Sequence, residues 1–240
     1  MTETTINKGS HIAQIEKALE HSYTKSVSER LKTTAEVLAA VQSKDTAAEL
    51  LLSHIRKPVW EDTAEGDVLH QVATYKFMMA EMFEAVRHFT ADGEKGQYKE
   101  INNYYRKRES GNTDVKIRTM AFQTSGQLDR MISSFSGLPR PIRLYRGLNS
   151  ERVAASTIET MHYHDAGFTS ASSDIETAIT YAQNVKTILV IDLPKGFKAV
   201  SVWKASRKPN EKEVLLPRGI DLKVTDFDSK MGFNLLYARP

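Results

Sequence analysis

The fold of this chain is decided by one stretch, Asn210-Glu211-Lys212-Glu213-Val214-Leu215-Leu216-Pro217-Arg218-Gly219. Its apolar centre predicts a buried strand, and Pro217 ends that strand because proline has no N–H to donate to a ladder. In an extended backbone, Glu211 and Glu213 point to the same face. We therefore expect a strand that presents two carboxylates at its mouth. The alternative is a solvated charged edge, since 26% of the residues are charged.

The composition of the 240 residues excludes several classes of protein. With 40% hydrophobic residues the chain can form a real core, and a net charge of +3 does not require nucleic acid or an anionic membrane as a partner. The absence of cysteine excludes disulfides, thiolate nucleophiles and cysteine-bound metals. No apolar run is as long as a membrane span, and residues 1–5 lack the pattern of a signal peptide. We expect a cytoplasmic monomer that neither enters a membrane nor binds nucleic acid directly.

Hydrophobic periodicity predicts a mostly helical amino-terminal half. Apolar residues recur at spacings of three and four between Ile12 and Val41, as one buried helix face requires. The further helices predicted by the same pattern are 47–55, 68–89, 98–106 and 114–135. We expect residues 1–95 to form a helical region, and residues 96–240 to form a separate core or to continue the same domain.

After residue 141 the periods shorten to those of strands. The predicted strands are 142–146, 165–172, 188–193, 197–203, 214–216, 220–224 and 233–237. A capping box over 173–176 predicts a helix between them, and 226–230 is predicted to be a turn. These elements predict an α+β fold with two small packed sheets. No strand precedes a dinucleotide-binding glycine fingerprint, and 93–96 lacks the spacing of a phosphate loop, which excludes a Rossmann dehydrogenase and a nucleoside triphosphatase.

Three smaller patterns have competing interpretations. On the helix 98–106, two tyrosines and Asn102 share a face with Ile101, so a buried amide there needs a partner, which a neighbouring loop could supply. His162 and His164 lie on one side of a predicted strand without a third ligand at a suitable spacing, so we expect no metal. The basic run 106–108 is interpreted as the solvated end of its helix.

Three motifs follow one another in the second half: an arginine that closes a strand in 144–147, a Ser-x-Ser within 168–172, and Glu-x-Glu at 211–213. Together they resemble the arginine, Ser-Thr-Ser and Glu-x-Glu signature of arginine-specific mono-ADP-ribosyltransferases of the cholera-toxin-like class. The Tyr-x-x-Ile-Asn-x-Tyr pattern of 98–105 is similar to a helix of the binary-toxin branch. The segment 210–219 looks most like the Alt/Mod enzymes of T-even phages. The resemblance covers about residues 95–240.

The resemblance implies NAD as the substrate, no metal, and a role for each motif residue. Arg146 would bind the phosphates of NAD, and Gly147 would let the backbone approach the nicotinamide amide. Ser170 would hold Glu213 by a hydrogen bond. Glu213 would bond the 2′-hydroxyl of the nicotinamide ribose and stabilise the oxocarbenium-like transition state. Glu211 would orient the acceptor and take its proton.

Weaker implications concern the supporting residues. Thr169 and Ser172 would support the strand, although Ala171 stands where the family often has threonine. The side chains expected either to contact NAD or to pack in the core are Tyr98, Asn102 and Tyr105.

The implied function is transfer of ADP-ribose to an arginine of a host protein by a phage-encoded enzyme. In this family, a glutamate at the first position of the Glu-x-Glu motif is associated with arginine as the acceptor. A carboxylate suits this acceptor because it can bind a guanidinium with two hydrogen bonds. The basic loop 203–210 suggests an acidic surface around that arginine. The alternatives are a NAD glycohydrolase, a secreted bacterial effector with the same chemistry, or an inactive binding module.

Overall fold

The computed structural model of this protein describes residues 44–58, 80–91 and 96–240. The helices predicted between residues 12 and 41, and the first part of the one predicted at 68–89, lie outside the described residues. The helices of the described part are α1 (Lys44–His54), α2 (Ala80–Phe89), α3 (Tyr98–Glu109), α4 (Thr119–Ser134), α5 (Glu151–Thr160) and α6 (Ile175–Tyr181). The strands are β1 (Ile142–Leu148), β2 (His162–Asp165), β3 (Thr169–Ser172), β4 (Thr187–Leu193), β5 (Val200–Ser201), β6 (Glu213–Leu216), β7 (Ile220–Lys230) and β8 (Phe233–Arg239).

The strands form one mixed sheet in the order β2-β7-β8-β4-β1-β3-β6-β5. All neighbours are antiparallel except β4 and β8, which run parallel. Strand β1 pairs with β4 along its whole length but with β3 only at Tyr145 and Ser172. The α+β class is therefore confirmed. The prediction of two separate sheets is wrong. The strands form one continuous sheet, in which β1 pairs with β4 on one side and with β3 on the other.

Strand β7 is longer than predicted. It continues through residues 226–230, which the sequence had suggested to be a turn, with a bulge between Val224 and Asp226. The chain reverses instead at Met231 and Gly232, both of which have positive φ. One face of β7 is open to solvent along its whole length, whereas the other face is buried up to Val224 and half-buried beyond it.

Helix starts account for two further differences from the sequence predictions. Helix α5 was not predicted; it begins after Ser150, whose hydroxyl accepts a hydrogen bond from the amide of Val153. Helix α6 begins one residue later than the predicted capping box implies. Asp174 is its N-cap and accepts a hydrogen bond from the amide of Glu176. The strand predicted at 197–203 is reduced to the two residues of β5.

The core lies on both faces of β4, which is buried along its entire length. Leu189 and Ile191 pack with the cluster that includes Ala154 of α5. Ile188 and Val190 face the other way and pack with a cluster that includes residues of α1, α6 and β8. Because successive side chains of a strand point to opposite faces, β4 contributes to a hydrophobic layer on each side of the sheet.

A buried ion pair interrupts this apolar strand. The sequence predicts an apolar strand over 188–193, but Asp192 within it accepts two hydrogen bonds from Arg143 of β1, with N–O distances of 2.7 and 2.6 Å. Arg143 is only 1% exposed. Its guanidinium also donates to the backbone carbonyls of Arg56 and Lys57, so the same side chain fastens the segment after α1 to the sheet.

We expect Asp192→Leu alone to lower the free energy of unfolding by about 3–5 kcal/mol, because it leaves the Arg143 guanidinium buried without its counter-charge. The double variant Arg143→Met/Asp192→Leu should regain most of that loss, since it buries no unpaired charge. Urea unfolding of the wild type and both variants measures the difference. If Asp192→Leu unfolds at the same urea concentration as the wild type, the buried Arg143 does not depend on Asp192 for stability.

Candidate active site

A cavity of about 240 Å³ opens between helices α2 and α3 on one side and β1, β3, α6 and the start of β6 on the other. Most residues singled out in the sequence meet there. The predicted residues that line the cavity are Tyr98, Asn102, Arg146, Gly147, Ser170, Glu211 and Glu213.

Glu213 is the first residue of β6 and is 7% exposed. Burial raises the pKa of Glu213 to about 7. A hydrogen bond from the Ser170 side chain and the charge of Arg146 oppose this shift, whereas the negative charge of Glu211 adds to it. The structure thus places the Ser170 hydroxyl against the second glutamate, in the arrangement that the resemblance implies. At neutral pH the carboxyl group is poised between its two protonation states.

Glu211 is not on the strand. It ends a 3₁₀ turn, Pro209–Glu211, and Lys212 follows in the left-handed region with φ of 45°. The prediction that an extended backbone aligns the two glutamates is therefore wrong. Both side chains still reach the cavity because β3 anchors the turn: the Ser172 hydroxyl donates to the Glu211 carbonyl at 2.7 Å, and the Ser173 amide donates to the Lys212 carbonyl at 3.4 Å.

The carboxylate of Glu211 has two partners that the sequence analysis did not identify. The hydroxyl of Tyr181, at the end of α6, donates to Oε1 at 2.7 Å. The ammonium of Lys208 lies 3.3 Å from the same oxygen. Lys208 precedes Glu211 by three positions in the turn, a spacing that the sequence could have suggested. Tyr181 comes from a distant segment and has no such signal.

Arg146 extends from β1 into the cavity. Its guanidinium donates to the backbone carbonyl of Ser170 and lies 3.9 Å from the carboxylate of Asp165. Its Nε atom is buried and has no hydrogen-bond partner among the described residues. The side chain is 22% exposed, so the remaining donors of its fork face the cavity.

Arg106 of α3 forms an ion pair with Asp165, the carboxylate that also lies near Arg146. The sequence gives no sign of this pair. Arg106 donates two hydrogen bonds to the Asp165 carboxylate, at 2.8 and 2.7 Å, and the Gly167 amide donates a third at 2.9 Å. Burial opposes the charged form of Asp165, but Arg106 prevails and holds its pKa below the usual value. Residues 106–108 are exposed, as the interpretation as a solvated helix end requires, but Arg106 also pairs with Asp165 and lines the cavity.

Gly147 is required for a different contact from the one expected. A Cβ atom at this position would lie 2.1 Å from the carbonyl oxygen of Ala178 and 2.7 Å from the amide nitrogen of Ala182. The missing side chain lets α6 pack directly on β1. An approach of Gly147 to the nicotinamide amide stays a prediction.

The three residues predicted on α3 have separate environments. Asn102 is buried; its amide donates to the Phe168 carbonyl at 3.1 Å and accepts from the Phe168 amide at 2.8 Å, so it caps a neighbouring loop. Tyr105 does not line the cavity. Its hydroxyl is instead paired with the hydroxyl of Ser125 at 2.9 Å. The structure therefore does not support Tyr105 as a contact of NAD. Tyr98 lies at the rim and is 39% exposed.

The two histidines weighed as metal ligands are separate surface residues. His162 pairs with Asp221 at 3.3 Å and His164 with Glu109 at 2.7 Å. Within residues 44–58, 80–91 and 96–240, no three acidic, histidine or cysteine side chains are grouped so as to hold a metal ion. Across these same ranges, none of the helices has the length and hydropathy needed to span a bilayer.

Comparison with known proteins gives the family. The model of the ADP-ribosyltransferase exoenzyme family matches residues 84–234. No curated protein sequence matches the chain. Among solved structures, C3stau2 from S. aureus with NAD is 22% identical with a TM-score of 0.54, over 76% of this chain and 98% of that one. The Clostridium limosum C3 exoenzyme is 16% identical with a TM-score of 0.57, over 75% of this chain and 97% of that one.

A third similar structure is an ADP-ribosyltransferase from Clostridium botulinum. It is 19% identical with a TM-score of 0.55, over 70% of this chain and 90% of that one. At these identities the structural matches establish a shared fold, while the family model covers well over half of the chain. The chain belongs to the ADP-ribosyltransferase exoenzyme family.

Proposed function

We propose that this enzyme cleaves NAD between the nicotinamide nitrogen and the ribose C1′ and transfers ADP-ribose to an arginine side chain of a protein. The observation that carries the proposal is the buried Glu213 carboxyl, which hydrogen-bonds Ser170 and shares one cavity with Arg146 and Glu211. Membership of the family supports ADP-ribosyl transfer. The choice of arginine rests on Glu211.

The charges of the cavity suit NAD, which carries two phosphates. Arg146 and Arg106 both line the cavity, and their guanidiniums supply positive charge for the phosphate oxygens. The aromatic ring of Tyr98 at the rim and the ring of Phe168 inside provide apolar surface for the bases. The structure of C3stau2 with NAD, a protein of the same fold, supports this substrate.

Glu213 is placed to stabilise the transition state. As the C1′–nitrogen bond breaks, positive charge moves from the pyridinium ring to the ribose, and nicotinamide leaves as a neutral molecule. A carboxylate in a buried site interacts with that charge more strongly than it would in water. The Ser170 hydrogen bond favours the ionised form of Glu213 that this role requires.

Glu211 is the group proposed to handle the acceptor. A guanidino nitrogen forms the new bond to C1′, and the proton released in this step goes to the Glu211 carboxylate and then to solvent. Glu211 is half-buried at the cavity mouth, where a protein side chain can reach it. A carboxylate pairs with a guanidinium more strongly than with a neutral side chain.

The target is proposed to be a host protein with an acidic surface around the modified arginine. Lys204 and Arg207 are exposed in the loop before the Glu211 turn, and Lys208 of the same loop lines the cavity. Opposite charges on a partner speed association and disfavour the wrong partners. The phage origin suggested by 210–219 stays a prediction.

Replacing the two glutamates separates the two halves of the reaction. We expect Glu213→Gln to lower nicotinamide release and protein labelling by about 10²–10³-fold, since it removes the charge that stabilises the transition state. Glu211→Gln should abolish labelling while nicotinamide release falls less than about tenfold, because water can replace the acceptor. The measurement is transfer from labelled NAD into bacterial lysate, together with nicotinamide release.

The matched control is Glu109→Gln, a surface carboxylate on α3 outside the cavity. Label that hydroxylamine removes from discrete protein bands identifies an arginine linkage. Nicotinamide release without labelled protein would favour the glycohydrolase. A wild-type protein that neither releases nicotinamide nor labels protein would refute the proposal.

The pH dependence of NAD cleavage follows from the raised pKa of Glu213. Because the protonated carboxyl carries no charge, we expect kcat/KM for NAD to fall about tenfold per pH unit below a midpoint near 7. Ser170→Ala should move the midpoint to higher pH, since it removes a hydrogen bond that favours the carboxylate. Glu211→Gln should move it to lower pH, since it removes a neighbouring negative charge.

Ser133→Ala is the control for these midpoints, because Ser133 is exposed on α4 and only bonds a carbonyl of its own helix. Nicotinamide release measured from pH 5 to 9 gives all four midpoints. Shifts of the same sign in Ser170→Ala and Glu211→Gln would show that the midpoint does not belong to Glu213.

A further inference from the structure

We propose that Tyr181 is a positioning residue for Glu211 and sets how much of the ADP-ribose goes to the acceptor and how much to water. Its hydroxyl holds one oxygen of the Glu211 carboxylate, so that the other oxygen is presented to the incoming guanidinium. This inference rests on the proposed function, because it assigns Tyr181 a part in the acceptor step.

The hydrogen bonds at Glu211 divide its two oxygens. Oε1 accepts from the Tyr181 hydroxyl at 2.7 Å and lies 3.3 Å from the Lys208 ammonium. Both of these partners meet Oε1. An acceptor guanidinium can approach through Oε2, and the geometry of that oxygen is fixed by the partners of Oε1.

The two partners of Oε1 differ in how they meet a positively charged acceptor. Lys208 is a cation and repels an incoming guanidinium, and its pairing with Glu211 is weakened by salt because 33% of its side chain is exposed. Tyr181 is 43% exposed, but it is neutral and does not repel the acceptor. Burial and the bond to Glu211 raise the pKa of Tyr181 to about 12, so its hydroxyl keeps the donated proton across the working range. Tyr181 is thus the partner that can stay in place during transfer.

The fold brings Tyr181 to this position through two close contacts. Gly147 lets α6 pack against β1, since a Cβ there would lie 3.0 Å from the Tyr181 carbonyl carbon and still closer to Ala178. At the other end of α6, the Ser172 hydroxyl accepts from the amide of the N-cap Asp174 and donates to the carbonyl of Glu211. Strand β3 therefore holds both Glu211 and the start of α6, while β1 fixes the end of α6 that carries Tyr181.

Loss of the Tyr181 hydroxyl has a selective consequence. Glu211 would keep only the screened Lys208 contact and would sample other rotamers, which weakens its grip on the acceptor. The Ser170–Glu213 hydrogen bond and Arg146, which act on NAD itself, have no contact with that hydroxyl. The ratio of transfer to hydrolysis should therefore fall more than the rate at which NAD is cleaved.

The test compares Tyr181→Phe with wild type, using agmatine as a small guanidine acceptor. We expect kcat/KM for agmatine to fall about ten- to thirtyfold, the effect of one lost hydrogen bond to a charged group. The ratio of ADP-ribosyl-agmatine to free ADP-ribose should fall by at least fivefold, a split that general damage to the fold would not produce. Tyr104→Phe, a tyrosine of α3 that does not line the cavity, should match wild type.

The double variant Glu211→Gln/Tyr181→Phe decides whether Tyr181 acts through Glu211. If it does, adding Tyr181→Phe to Glu211→Gln lowers the remaining nicotinamide release no further. A further fall of nicotinamide release in the double variant, or an equal fall of transfer and hydrolysis in Tyr181→Phe, would overturn the inference while the proposed function stands. A wild-type enzyme that cleaves no NAD overturns the proposed function and this inference together.

Discussion

The active site depends on the burial of one charge, the carboxylate of Asp165. A carboxylate that is 5% exposed requires partners, and here two guanidiniums, a backbone amide and the hydroxyls of Tyr163 and Thr169 supply them. Arg106 comes from α3 and Arg146 from β1, so the same carboxylate ties the helical layer to the sheet. The arginines are consequently held in place by the protein itself. Preorganisation of this kind reduces the cost of ordering side chains when an anionic substrate binds.

The two glutamates illustrate how one short segment can give similar groups different properties. Glu213 begins a buried strand, whereas Glu211 ends a 3₁₀ turn and is half-exposed. Burial raises the pKa of Glu213, and its neighbour adds a like charge to that effect. The left-handed Lys212 separates the strand from the turn, so the two carboxylates face different surroundings. Environments that differ in this way allow two identical side chains to take different roles.

The sequence predicted the local parts of this site better than the contacts between distant segments. The α+β class follows from periodicity, and Arg146, Ser170 and Glu213 were found because each lies in a short motif. Glu211 does line the cavity, but not because it lies on an extended strand, as the sequence predicted. Pro209 and the left-handed Lys212 instead produce a turn there. The pair Arg143–Asp192 lay hidden because an aspartate in an apolar strand reveals its partner only when β1 and β4 are seen to be neighbours.

The polar groups around the cavity also show which of them are committed to the fold. The Asn102 amide is paired with both backbone groups of Phe168, and the Ser172 hydroxyl bonds the turn and the helix cap. Since buried polar groups must be paired, these hydrogen bonds commit both side chains to holding the fold around the cavity. Arg146 differs, because its buried Nε has no partner among the described residues. Asn102 and Ser172 therefore build the walls of the cavity, whereas Arg146 lines it with a guanidinium that is not fully paired.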